Sequence, residues 1–94
     1  MEEQKLVNKQ RKNIDTISKE VGANIRKKRE EQGKTMNEFC NDLMDYGLDI
    51  SDYILGKYER GQRRIPLDRL FIIAKALHVK YFDEIFPKEI PWKI

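Results

Sequence analysis

Chemistry in this chain concentrates in Ile50-Ser51-Asp52-Tyr53-Ile54-Leu55-Gly56-Lys57-Tyr58-Glu59-Arg60-Gly61. At helical spacing Tyr53, Gly56, Lys57 and Arg60 share one side, with Asp52 at its edge, while Ile54, Leu55 and Tyr58 share another. The second face suits a core. The first is short and mostly polar, and suits contact with something outside the protein. Its groups offer hydrogen bonding and positive charge but no bond-breaking chemistry. Directly after it, Arg63 and Arg64 continue the positive charge in the loop Gln62-Arg63-Arg64-Ile65.

The rest of the chain supports such a surface and little else. His78 and Cys40 are the only histidine and cysteine, too few for a zinc site. No nucleophile–base arrangement and no phosphate-cradling glycine loop occurs, so no enzyme, metal or cofactor is expected. Cys40 has no intramolecular disulfide partner. That fits a reducing, cytoplasmic setting. No secretory signal follows Met1 and no apolar run reaches the length of a membrane span.

At 94 residues, 39% hydrophobic and 37% charged, the chain allows one small domain with a thin core. A net charge of +3 leans towards an anionic partner. Residues 1–12 are nearly all polar apart from Leu6 and Val7. They read as an arm. Ile14, Ile17, Val21 and Ile25 recur at three- and four-residue steps and predict an amphipathic helix ending at Gly33, its start at Asn13 or Ser18. Gly22 weakens it by about 1 kcal/mol relative to alanine. Thr35-Met36-Asn37-Glu38 has the form of a capping box and opens a second helix with Met36, Phe39, Cys40 and Leu43 inward.

Ser51 caps the third helix and Gly61 ends it. Pro66 suits the first position of a fourth helix, with Leu67, Leu70, Phe71, Ile73, Ala74 and Leu77 on its apolar face. Tyr81 to Phe86 predicts a last short helix with Phe82, Ile85 and Phe86 inward. The tail alternates Ile90, Trp92 and Ile94 with other residues around Pro91. Five helices with short loops imply an all-α bundle, and a helix pair with a polar-faced second member implies a helix-turn-helix set in the major groove of DNA.

Val21-Gly22, Ile25-Arg26, Arg29, Gly33-Lys34-Thr35, Phe39-Cys40, Leu43, Glu59-Arg60-Gly61, Leu70, Ile73-Ala74, Ala76-Leu77, Val79 and Ile85-Phe86, in this order and spacing, resemble the phage-repressor/Cro-like (XRE-type) helix-turn-helix domain. The resemblance spans about residues 20–86. It implies a five-helix repressor-like DNA-binding domain (18–86) flanked by an N-terminal extension (1–17, partly disordered or helical) and a C-terminal tail (87–94). It further implies a sequence-specific transcriptional regulator, a repressor, acting as a homodimer on double-stranded DNA with the third helix, about 51–60, in the major groove.

By position, the resemblance assigns Ser51, Asp52, Tyr53 and Lys57 to base reading. It assigns Thr35 and Met36 to a phosphate, Arg63 and Arg64 to the DNA backbone, and Arg29 with Glu59 to an internal salt bridge. Met36 replaces the usual glutamine, Lys28 stands where an apolar residue is usual, and Met44-Asp45-Tyr46-Gly47-Leu48 lengthens the second helix and its turn.

Several roles stay open. Lys57 suits a guanine edge, a phosphate or plain solvent. Tyr53 suits a thymine methyl, a phosphate or packing at the rim of the second helix. Asp52 can accept from cytosine N4 or stabilise its own helix start. Gly56 lets either DNA or the second helix come close. Arg60, Arg63 and Arg64 suit phosphates, where neutralisation releases counterions. Ile90, Trp92 and Ile94 suit a dimer contact or a fold-back on the same subunit. The alternative function is a protein-binding helix-turn-helix module, antitoxin-like or an antirepressor, that needs a regulatory protein partner.

Overall fold

A computed structural model describes residues 2–87, with side chains over 15–87; the side chains of Leu6, Val7 and Ile14 and the expected contact of the tail residues Ile90, Trp92 and Ile94 lie outside the described residues. Among the described residues four α-helices follow one another: α1 (Glu2–Glu31), α2 (Met36–Asp45), α3 (Asp52–Glu59) and α4 (Leu67–Ala76). A single 3-10 turn, Phe82–Glu84, stands where a fifth helix is expected, and no strand occurs among the described residues.

The shortfall has a local cause. Pro87 bars its predecessor from helical geometry, so the segment closes one turn, with the N–H groups of Ile85 and Phe86 both donating to the Phe82 carbonyl at 3.0 Å. Glu84 braces the turn from the other side, accepting from the N–H groups of Lys80 and Tyr81. The Tyr81 N–H, then the Lys28 ammonium, hold the Glu84 carboxyl below its ordinary range. This bracing is therefore complete above the usual glutamate range and is lost as pH falls through the lowered value.

Helix α1 starts at Glu2, not at Asn13 or Ser18, so the expected boundary at residue 17/18 falls inside it. Its early residues are mainly Glu, Gln, Lys and Arg, all good helix formers, and Gly22 does not interrupt it. The core joins Val21 and Ile25 of α1, Phe39, Cys40 and Leu43 of α2, Leu55 and Tyr58 of α3, Leu70, Ile73, Ala74 and Ala76 of α4, and Leu77 and Ile85 beyond it. Leu48 and Ile50 are also buried. They fasten the long α2–α3 turn to the core.

Helix α4 presents a narrower buried stripe than its sequence suggests. Leu67 and Phe71, expected inside, are exposed, as is Phe82. Leu67 opens the helix at its N-terminal end, and Phe71 flanks the stripe and meets Phe82 in a tilted ring contact, as Phe82 in turn meets Phe86. Pro66 sits at the N-cap, one place before the expected position.

All four helices close in the same way. At each end, the N–H one residue past the cap and the N–H after it fold back onto the second- and third-last helical carbonyls, as in Gly61 to Tyr58 and Gln62 to Lys57. The first of these residues takes positive φ: Gly33, Gly47, Gly61 and, uniquely among the described residues, the non-glycine His78 at φ 58. A side chain there costs about 1–2 kcal/mol. His78→Gly is therefore expected to stabilise the fold by about 1 kcal/mol, after the extra backbone entropy of glycine, read as a raised Tm in thermal unfolding.

Candidate nucleic-acid interface

Helix α3 is held by three anchors. From α1, Arg29 donates through Nε and Nη2 to the two Glu59 oxygens at 2.7 and 2.9 Å, with the paired side chains 8% and 1% exposed. Arg29 Nη1 also donates to the Lys34 carbonyl at 2.8 Å, tying the same guanidinium to the α1–α2 turn. Glu59 holds the Arg29 pKa above its ordinary value. From α4, Arg69 donates to the Tyr58 hydroxyl at 2.9 Å.

The third anchor is close packing of backbone. A Cβ on Gly22 would lie 2.2 Å from the Tyr58 carbonyl oxygen, and one on Gly61 would lie 2.6 Å from the Lys19 Cα. Both glycines allow α1 and the end of α3 to touch where no side chain fits.

The N-termini of α2 and α3 are capped internally. Thr35 Oγ1 accepts from the Glu38 N–H, and the Glu38 carboxylate accepts from the Thr35 N–H. Ser51 Oγ accepts from the Ile54 N–H at 3.2 Å. Met36 lies partly buried against the core, so its side chain faces inward and only its backbone N–H is left at the helix start for an outside acceptor. Burial first, then the neighbouring Asp52 carboxylate, pushes the Cys40 thiol up to about 12, which leaves Cys40 unreactive at neutral pH.

The outward face of α3 carries the remaining candidates. Tyr53 is 65% exposed, and the Lys57 ammonium lies 5.1 Å from its ring centroid, a cation–π contact. Gly56 is buried although it flanks this face. What covers it is Arg60: a Cβ there would meet Arg60 Nη1 at 2.9 Å and Nη2 at 3.5 Å. So neither approach by α2 nor open space accounts for this glycine. Arg60 Nε donates to Gln62 Oε1 at 3.1 Å. Arg63 and Arg64 are exposed in the following loop.

Four of the described cations form ion pairs. Arg26, Lys28, Arg29 and Lys34 each pair with a carboxylate: Glu30, Glu84, Glu59 and Asp42 respectively. Lys28 thereby binds the final turn across α1, which accounts for a lysine at a place usually apolar. Lys57, Arg60, Arg63 and Arg64 have no such ion pair among the described residues, and neither do the more scattered Lys19, Lys27, Arg69, Lys75 and Lys80. A helix pair joined by a turn, capped at both starts, thus presents its second member with positive charge left unneutralised.

A family model of helix-turn-helix proteins matches residues 25–83. The chain belongs to the XRE-type helix-turn-helix family. Neither the curated proteins nor the solved structures return a match. In this helix-turn-helix protein, α2 and α3 form the defining pair. The family is one of DNA-binding transcription regulators, and no helix among the described residues is long and apolar enough to cross a membrane. Sequence reasoning missed Gln62 and Arg69. Gln62 stood two residues from Arg60 in the basic loop, but nothing in its type marked it as a partner.

Proposed function

We propose that this protein is a sequence-specific transcriptional repressor that acts in the cytoplasm as a homodimer, with α3 in the major groove of double-stranded DNA. The observation that carries this reading is a local cluster of cations. Lys57, Arg60, Arg63 and Arg64 stand together on and just after α3, and none of them forms an ion pair among the described residues. Free cations on a rigidly held helix suit phosphates and base edges. Ser51, Asp52, Tyr53 and Lys57 are the proposed base-reading residues, and Thr35, the Met36 N–H, Arg63 and Arg64 the proposed phosphate contacts.

A domain this small reads few base pairs, so a two-fold pair of α3 helices one DNA turn apart supplies the specificity. The exposed apolar side chains of Leu67, Phe71 and Phe82 support association with a second copy. Repression follows from occupancy, since a dimer seated on DNA excludes other proteins by bulk.

Selection from random duplex DNA at two salt concentrations tests the proposal. The expected outcome is a two-fold symmetric motif bound less tightly as salt rises. Lys57→Ala should relax preference at one base pair by about 1–3 kcal/mol. Arg63→Ala should weaken binding to every sequence and flatten the logarithmic salt dependence by about 0.9 per protomer. Weak binding with no motif, unchanged by either substitution, would move the reading to a protein-binding module that needs a partner.

A further inference from the structure

We infer that Arg60 is a specificity-determining residue that reads a guanine, with Gly56 as the seat for its guanidinium and Gln62 as its positioning residue. This rests on the reading of α3 as the major-groove helix and deepens it. A position at the end of a recognition helix, followed by more arginines, points from sequence alone to a phosphate. The geometry points elsewhere.

The Arg60 side chain runs back along α3 rather than out past its end. Its Nη1 and Nη2 lie over Gly56, one helical turn towards the N-terminus, where a Cβ would come within 2.9 and 3.5 Å of them. This brings the guanidinium to the same stretch of helix as Tyr53 and Lys57. The Arg60 Nε is occupied by Gln62 Oε1 at 3.1 Å. Both terminal nitrogens are left without a protein acceptor among the described residues. An end-on fork of two parallel N–H donors is the arrangement that matches guanine O6 and N7 in the major groove.

Two other arginines packed against α3 are otherwise engaged. Arg29 spends its fork on Glu59 and Lys34, and Arg69 donates to Tyr58. Gly56 then has a purpose that helix formation alone would oppose, since glycine disfavours a helix interior by about 1 kcal/mol relative to alanine. It lowers the surface under the guanidinium, so that a long side chain lies flat and its fork is held at a fixed height. Gln62 restrains the remaining rotation. An arginine held in this way loses less rotamer freedom on binding than one waving in solvent.

The test is selection of random duplex DNA by the full chain and by four variants, with thermal unfolding of each. Arg60→Lys keeps the charge and removes the fork. It should erase a guanine preference at one position of each half-site, a loss of roughly 5- to 150-fold in discrimination for a bidentate contact, with the salt dependence unchanged. Gly56→Ala should be at least as stable as the parent, because its new methyl meets only the end of a flexible side chain. It should nevertheless lose preference at that same position. Gln62→Ala should weaken the preference there by a smaller factor. Lys57→Ala should act at a different base pair.

If the parent enriches a motif that Arg60→Lys leaves intact, the assignment of Arg60 is overturned while the role of α3 survives. The same holds if Arg60→Lys weakens binding to every sequence alike, which marks a phosphate contact. If the parent enriches no motif, both readings fall together.

Discussion

Glu59→Ala is expected to destabilise the domain by about 3–5 kcal/mol, the usual cost of stranding one member of a buried ion pair. The Glu59 side chain is 1% exposed and accepts two charge-assisted bonds from Arg29. Without it the guanidinium keeps only the Lys34 carbonyl. Total stability of a small domain is about 5–15 kcal/mol, so the loss removes a large share. Urea unfolding should show a lower midpoint with little change in slope.

The comparison that isolates the mechanism is the double replacement Arg29→Met with Glu59→Leu. Exchanging both charges for apolar groups of similar bulk avoids a stranded charge and should cost much less than Glu59→Ala alone. Equal losses in the two proteins would mean that packing, not the orphaned charge, sets the penalty. A functional consequence follows from the same geometry. Glu59 sits at the last turn of α3, so the pair fixes the angle at which Tyr53, Lys57 and Arg60 are presented. Glu59→Ala should therefore weaken DNA binding even at temperatures where the domain remains folded.

What was legible in the sequence was mostly local. The Thr35–Glu38 box, the Ser51 cap and the positive φ of Gly61 depend on residues a few positions apart, and residue type decides them. The helical stripes through Val21 and Ile25, or Phe39 and Leu43, were legible for the same reason. Facts set by distant neighbours were less so. Leu67, Phe71 and Phe82 carry the residue types of a core, but whether they are covered depends on how far the packed elements extend. The start of α1 was obscured because its first residues form a helix on propensity without an apolar stripe.

At the candidate site the split was similar. The α3 face could be drawn from spacing alone. That Gly56 is roofed by Arg60, or that Met36 turns inward, depends on three-dimensional packing. Gly22 was visible only as a defect in a helix, because its reason lies in α3, some 36 residues later.

That reason makes Gly22→Ala the second large effect. Local propensity alone favours the substitution by about 1 kcal/mol. Packing opposes it: the added methyl would lie 2.2 Å from the Tyr58 carbonyl oxygen, 2.6 Å from that of Glu59 and 2.8 Å from the Glu59 carbonyl carbon. These are backbone atoms at the end of α3 and cannot rotate away. Relief requires α3 to move off α1, which stretches the Arg29–Glu59 bonds and the contact of Gly61 with Lys19. The expected net loss is about 3 kcal/mol, the upper end of the range for overpacking, read as a lower urea midpoint. Gly56→Ala is the contrasting case, since its methyl meets only the Arg60 guanidinium. One substitution should therefore lower stability and binding together, and the other should alter sequence preference without a loss of stability. An unchanged midpoint in Gly22→Ala would mean that α1 and α3 do not approach this closely, and would take away the anchor that sets the recognition helix.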